Sequence, residues 1–216
     1  MASTNQPTQP PADRAEQLLS LAQQQFGTLT AAEDKLFRAV ARGEPADFRA
    51  GSEEEDNPLN AQGWPVGRAL PADRIAWLCT DPQARALVTY RGVIATGVRV
   101  DGDLVLIYAQ VPFPLVFRNC AFQSQIALRE ASLRALSLRG TYTKAIIADG
   151  LQVEGSVTLS DGFLSEGQIN LMGATISGAL FCVGGRFLNP GGMALNAGAL
   201  KVSGAIFFRK PFRAEG

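Results

Sequence analysis

Val153-Glu-Gly155-Ser-Val157-Thr-Leu159 is echoed by Ile176-Ser-Gly178-Ala-Leu180-Phe-Cys182 and again by Val202-Ser-Gly204-Ala-Ile206-Phe-Phe208. An earlier line, Val100-Asp-Gly102-Asp-Leu104-Val-Leu106, reads the same way. A second phrase, Gln125-Ile-Ala-Leu128-Arg-Glu-Ala131-Ser-Leu133, returns as Gln168-Ile-Asn-Leu171-Met-Gly-Ala174-Thr-Ile176. Self-similarity of this kind marks a solenoid, in which each unit buries its apolar face only by stacking on its neighbours. From residue 93 to the end the apolar residues come in short pairs, about five residues apart. A small residue often stands two places before a large one, as in Cys120-Ala-Phe122 and Ala131-Ser-Leu133. Two inward side chains per short strand, with Gly and polar residues turning the corners, suit a narrow coil filled by stacked ladders.

The expected fold is therefore mainly β: a right-handed parallel β-helix over 93–216 with an α-helical N-terminal cap over 12–92. A lipocalin-like barrel is the weaker alternative, because its strands should be about twice as long. Residues 153–167 align without a gap to 202–216. The first copy continues into another strand after Gly167, so the coil is expected to finish open at Gly216. An open coil end exposes backbone donors and acceptors with a slice of core, which favours homo-oligomer formation.

Upstream, residues 1–11 are polar and rich in Pro, Gln and Thr, and are expected to be disordered. From Ala12 to Phe26 the residues Ala15, Leu18, Leu19, Ala22 and Phe26 follow a helical period. Thr30-Ala-Ala-Glu33 has the capping-box pattern for a second helix ending near Gly43. Between Glu44 and Leu70 the chain reads as a loop whose acidic run Glu53-Glu54-Glu55-Asp56 is expected to be solvated, and two shorter helices follow it, Pro71 to Cys79 and one opened by Asp81-Pro82. Trp64 and Trp77 fall in the cap and read as packing residues.

Composition excludes a good deal. The net charge is zero, with 9 Lys/Arg against 12 Asp/Glu in residues 1–92 and 11 against 8 in 93–216. Neither half carries the field that nucleic acid or an anionic membrane would demand. Three widely spaced cysteines, Cys79, Cys120 and Cys182, fit a reducing compartment better than a disulfide framework. No basic and apolar leader opens the chain, and the most apolar window, Leu104 to Phe117, is broken by Pro112 and Pro114. The reading is a cytoplasmic chain without a membrane span.

Phrases scattered along the chain carry a resemblance. Trp77-Leu-Cys-Thr-Asp81, Arg91-Gly-Val93, Val111-Pro-Phe-Pro-Leu-Val-Phe-Arg-Asn-Cys120, Asn189-Pro-Gly-Gly192 and Phe212-Arg-Ala-Glu-Gly216 stand in it. Together they resemble bacterial proteins related to pentapeptide-repeat proteins, often labelled "membrane-associated oxidoreductase". The likeness spans about residues 29–216 and corresponds to the N-terminal portion of longer members. It implies the β-helix, and its label implies an oxidoreductase. Pentapeptide-repeat relatives also suggest a DNA-mimic modulator of topoisomerases, which needs a strongly acidic coil to replace phosphate charge, whereas this one sums to +3.

The chemistry expected of an enzyme is missing. With no histidine, the commonest general base and any His-ligated metal are excluded. There is no Cys-x-x-Cys dithiol and no glycine-rich nucleotide-binding motif, so no cofactor and no catalytic or metal site is assigned. Asp101 and Asp103, flanking Gly102, could share a metal or a proton but read as solvated turn residues. One surface pattern remains. Arg129, Arg134, Arg139 and Lys144 stand at intervals of five and would place one cation on each face of a twenty-residue coil. Such a collar could grip an acidic partner, or simply cover apolar surface at the corners. The leading expectation is a non-catalytic structural or protein-interaction module, binding a protein partner or itself. The oxidoreductase and the DNA mimic are the alternatives.

Overall fold

A computed structural model describes residues 13–209 and 211–216. The disorder expected for residues 1–11 lies outside the described residues. Four helices open the described chain: α1 (Arg14–Phe26), α2 (Ala31–Arg42), α3 (Ala72–Thr80) and α4 (Pro82–Leu87). The capping box of α2 forms as the sequence predicts, with the Thr30 amide donating to Glu33 Oε2 at 2.7 Å and the Glu33 amide to Thr30 Oγ1 at 3.2 Å. Gly43 ends that helix in the left-handed region at φ 73°. Asp81 accepts from the amides of Gln83 and Ala84, and Pro82 begins α4. Trp77 of α3 packs edge-on against Phe26 and Phe37, which ties three of the helices together.

The rest is a β-solenoid of about five turns, made of four parallel sheets. Each coil visits the four faces in order. Face 1 runs through Val93–Thr96, Leu115–Arg118, Leu136–Arg139, Val157–Thr158, Leu180–Phe181 and Ile206–Phe207. Face 2 runs from Arg99–Asp101 to Arg213–Glu215, face 3 from Leu104–Val105 to Leu195–Asn196, and face 4 from Gln110–Val111 to Lys201–Val202. The cap supplies the first rung on two faces: Ala46–Asp47 pairs with Ala95–Thr96, and Ala69–Pro71 with Arg99–Asp101. The sheets thus begin inside the region read from sequence as cap.

Three copies found by the repeat occupy equivalent sites. Val153, Ile176 and Val202 are in register on face 4, and Val157, Leu180 and Ile206 on face 1. The line beginning at Val100 belongs elsewhere. Its Val100 and Leu104 lie on faces 2 and 3, because every corner imposes the same spacing of inward residues whichever faces it joins. The corners also explain the unusual backbone. Between faces 1 and 2, Asn119, Gly140, Asp161 and Gly184 stack with φ of 48°, 61°, 55° and 71°. Between faces 3 and 4, Tyr108, Glu130, Gly150, Gly173 and Ala199 do so with φ of 58°, 50°, 66°, 67° and 55°. Every non-glycine residue with positive φ among the described residues belongs to one of these two columns. A left-handed residue costs about 1–2 kcal/mol outside glycine, so the stacking of coils is strong enough to impose it.

The interior is filled rung by rung. Going up face 2, the two inward positions hold Val98/Val100, Cys120/Phe122, Thr141/Thr143, Phe163/Ser165, Gly185/Phe187 and Phe212/Ala214. A large residue at one position is matched by a small one at the other, so the pair keeps a nearly constant volume. The small-before-large pattern read from sequence therefore inverts at Phe163/Ser165 and at Phe212/Ala214. The aromatic rings interlock edge-on between positions, Phe163 against Phe187 at 5.7 Å and Phe187 against Phe212 at 5.1 Å. Close packing makes such compensation necessary, since neither a void nor an overfilled rung is tolerated.

The acidic run is not a uniformly solvated loop. Glu53, Glu54 and Glu55 are exposed, but Asp56 is buried, accepts from the amides of Ala50 and Gly51, and pairs with buried Arg68 at 2.9 Å. This latch holds Trp64 against the outside of face 2, where it packs with Ala121, Tyr142 and Leu164. The Arg68 guanidinium lies 3.7 Å over the Trp64 ring.

Constant rung volume makes a test. Phe163→Ala should cost about 3–5 kcal/mol in urea unfolding. Adding Ser165→Phe should recover part of that loss, whereas Ser165→Phe alone should destabilise by overpacking.

Candidate functional site

The four cations of the expected collar stand at the four corners of one coil. Arg129 follows the face-3 strand Ile126–Ala127, Arg134 follows Ser132–Leu133 on face 4, Arg139 ends Leu136–Arg139 on face 1, and Lys144 follows Tyr142–Thr143 on face 2. Each is matched by a carboxylate on the next coil. Arg129 donates to Asp149 at 2.8 Å, Arg139 to Asp161 at 2.6 Å and Lys144 to Glu166 at 2.8 Å, while Arg134 pairs closely with Glu154. A parallel in-register stack brings residues one coil apart side by side, so a ring of bases below a ring of acids becomes a ring of clasps. All eight side chains remain partly exposed, where isolated pairs stabilise little.

The clasp at Lys144 is the most elaborate. The Tyr142 phenol donates to Glu166 Oε2 at 2.6 Å, beside the Lys144 ammonium. Lys144 and then Tyr142 hold the Glu166 carboxyl below the usual carboxylate range. Burial, followed by the bond to Glu166, pushes the Tyr142 phenol up. Tyr142 was not singled out from sequence. Its signal was its place two residues before Lys144, since alternate residues of a strand share a face.

A second arrangement lies on the outside of face 1. Phe181 and Phe207 occupy the same outward position on successive coils and stack face to face, 5.0 Å apart and 5° from parallel. The next outward position down the column is Thr158. Where the large rings give way to threonine, the surface forms a notch of about 370 Å³, bordered by Phe181, Thr158, Ser160, Asp161, Arg139 and Val183. The repeat lines quoted above already hold both phenylalanines. Only the register shows that they are neighbours facing outward.

The remaining candidates are drawn apart. Asp101 is paired with Arg99 at 2.9 Å, and Asp103 accepts from Gln125 at 3.0 Å. Cys79, Cys120 and Cys182 are buried and unpaired with one another, and burial pushes each thiol up to about 12. Thiols of this kind are poor nucleophiles, because the thiolate is the reactive form. Among the described residues, no group of three His, Cys, Asp or Glu side chains is placed to hold a metal ion. No helix among them is long and apolar enough to cross a membrane.

No protein-family description, curated protein or solved structure matches the chain. The resemblance read from its phrases is therefore supported as to fold by the β-solenoid itself, and the oxidoreductase label has no support of that kind.

The Lys144–Glu166 clasp predicts a pH dependence. A carboxyl depressed on folding stabilises the fold above its unfolded value, near 4.3, and that contribution is lost as pH falls through the lower folded value. Glu166→Gln should therefore be less stable than the unaltered chain at neutral pH. The gap between them should close as urea midpoints are measured down through pH 4.

Proposed function

We propose that this chain is a non-catalytic structural and protein-interaction module: a rigid β-solenoid whose outer faces and last coil are its working surfaces. The ring of coil-to-coil clasps carries this reading. The charged side chains of the corner ring are spent on joining one turn to the next, and the thiols of the coil and of the cap are buried. No constellation of nucleophile and base is left among the described residues on which to build a reaction.

The partner we propose is a second copy of the chain. Among the described residues, the strands Leu195–Asn196, Lys201–Val202, Ile206–Phe207 and Arg213–Glu215 are each paired on one side only. Between them an apolar cavity of about 190 Å³ is bordered by Cys182, Phe187, Leu195, Leu200, Ile206 and Phe208, with Ile206 and Phe208 nearly half exposed. At the other end of the solenoid, α2 and α3 pack against the first strands. A head-to-tail stack would have to displace them. Two copies meeting last coil to last coil instead bury both open edges in one closed two-fold contact.

Light scattering on pure protein, with its absorption spectrum, tests both parts. The expected result is a particle of twice 23.0 kDa without a visible absorption band, converted to a monomer by Phe208→Glu. A monomer for the unaltered chain would overturn the pairing. A bound flavin or other chromophore would overturn the non-catalytic reading.

A further inference from the structure

The notch on face 1 has the composition of a binding site, and we propose that it takes a neutral pyranose ring of a saccharide. The inference goes beyond the module reading and stands for monomer or dimer alike.

The wall of the notch is the Phe181 ring. One side of that ring is occupied by Phe207, stacked 5.0 Å away, and Arg209 lies over Phe207 at 5.4 Å. Thr158 occupies the outward position on the coil below, with a side chain too short to reach the ring's other side as a third phenyl would. An aromatic face backed by a second ring and open to a concavity suits the flat C–H face of a sugar, which is apolar and needs a partner that is not wet. The volume, about 370 Å³, falls within the range of about 300–1,000 Å³ usual for small-ligand sites.

The floor and rim are polar, and they offer both signs of hydrogen bond. The Thr158 hydroxyl belongs to the border of the notch. Ser160 Oγ donates to Asp161 Oδ2 at 2.9 Å, and Arg139 Nε donates to the same oxygen at 2.6 Å. Both bonds converge on Oδ2, which leaves Asp161 Oδ1 free to accept from a ligand hydroxyl. Arg139 Nη2 lies on the same oxygen at 2.5 Å, and both side chains border the notch while about half exposed. Sugar hydroxyls donate and accept at once, and this border supplies acceptors and donors together.

Charge selects within that chemistry. Arg139 and Asp161 neutralise one another, so the notch has neither the unpaired cation an anionic ligand would seek nor the unpaired carboxylate a cation would seek. A phosphate, a uronate or an ammonium compound would have to break the pair. A neutral ring can use it intact. Backbone geometry fixes the rim: Asp161 sits in the left-handed corner column at φ 55°, and its amide is bonded to Val183 O at 2.9 Å. The carboxylate is therefore held by the solenoid rather than by a loop free to move.

The test is a nuclear magnetic resonance titration of the full chain. Its probes are the methyl glycosides of glucose, galactose and mannose. Inorganic phosphate, glucuronate and N-acetylphenylalanine amide serve as competitors of other chemistry. At least one neutral glycoside should shift the amides of residues 158–161 and 181–183 in a saturable way, and the charged probes should not. Phe181→Ala should weaken that binding about tenfold. Thr158→Phe should abolish it by extending the Phe181–Phe207 stack one rung into the notch, in a variant that keeps the fold, as its unfolding midpoint will report. The proposal is overturned if no glycoside gives saturable shifts, or if Thr158→Phe leaves binding unchanged. It is equally overturned if phosphate, glucuronate or the phenylalanine amide binds in place of the sugars.

Discussion

Each coil of this protein is joined through backbone hydrogen bonds to the coil below and the coil above, and that ladder sets everything else. On face 3 the Ile126 amide donates to Ala145 O, the Ile146 amide to Gln168 O and the Ile169 amide to Ala194 O, at 2.9, 3.0 and 2.9 Å. Once successive rungs are parallel and in register, like positions stack. The inward residues of a face then share a fixed cross-section, the corners must repeat the same left-handed turn, and outward residues meet their counterparts from one coil earlier. Constant rung volume, the two columns of positive φ, the ring of clasps and the Phe181–Phe207 stack are four consequences of that one geometry.

Much of this was written in the sequence because stacking forces similarity at fixed intervals. Val153, Ile176 and Val202 resemble one another because they fill the same column of the interior. The caps of α2 and α4 were equally plain, since Thr30, Glu33 and Asp81 act on amides only a few residues away. What stayed hidden was whatever depends on which residues become neighbours after the chain has gone round. The coils differ in length: the face-1 column passes through residues 93, 115, 136, 157, 180 and 206, and no single period predicts that register. Hence the line at Val100 matched in wording while lying on other faces. Hence too the cations of the collar were visible at intervals of five, while their carboxylate partners one coil further on were not. Asp56 was misplaced for a related reason. Nothing local distinguishes it from Glu53, and only the approach of Arg68 buries it.

The arrangement of polar groups sets the functional reading. A solenoid has a small interior and a large, regular outside, so its capacity for specific contact lies on its faces. Here the corners are occupied by ion pairs, and the three thiols are buried. What the faces offer is shape, as in the notch on face 1 where an aromatic stack gives way to Thr158. It follows from a change of residue size along one column, the means by which a repetitive scaffold acquires a distinct place on its surface.

Amide hydrogen exchange tests the ladder itself most directly. The amides of Ile126, Ile146 and Ile169, each bonded to the following coil, should be strongly protected and should open together, with protection lost in all three when Phe163→Ala weakens the middle of the stack. Exchange of those three amides at the rate of an unstructured chain, with the helices of the cap still protected, would contradict the in-register solenoid.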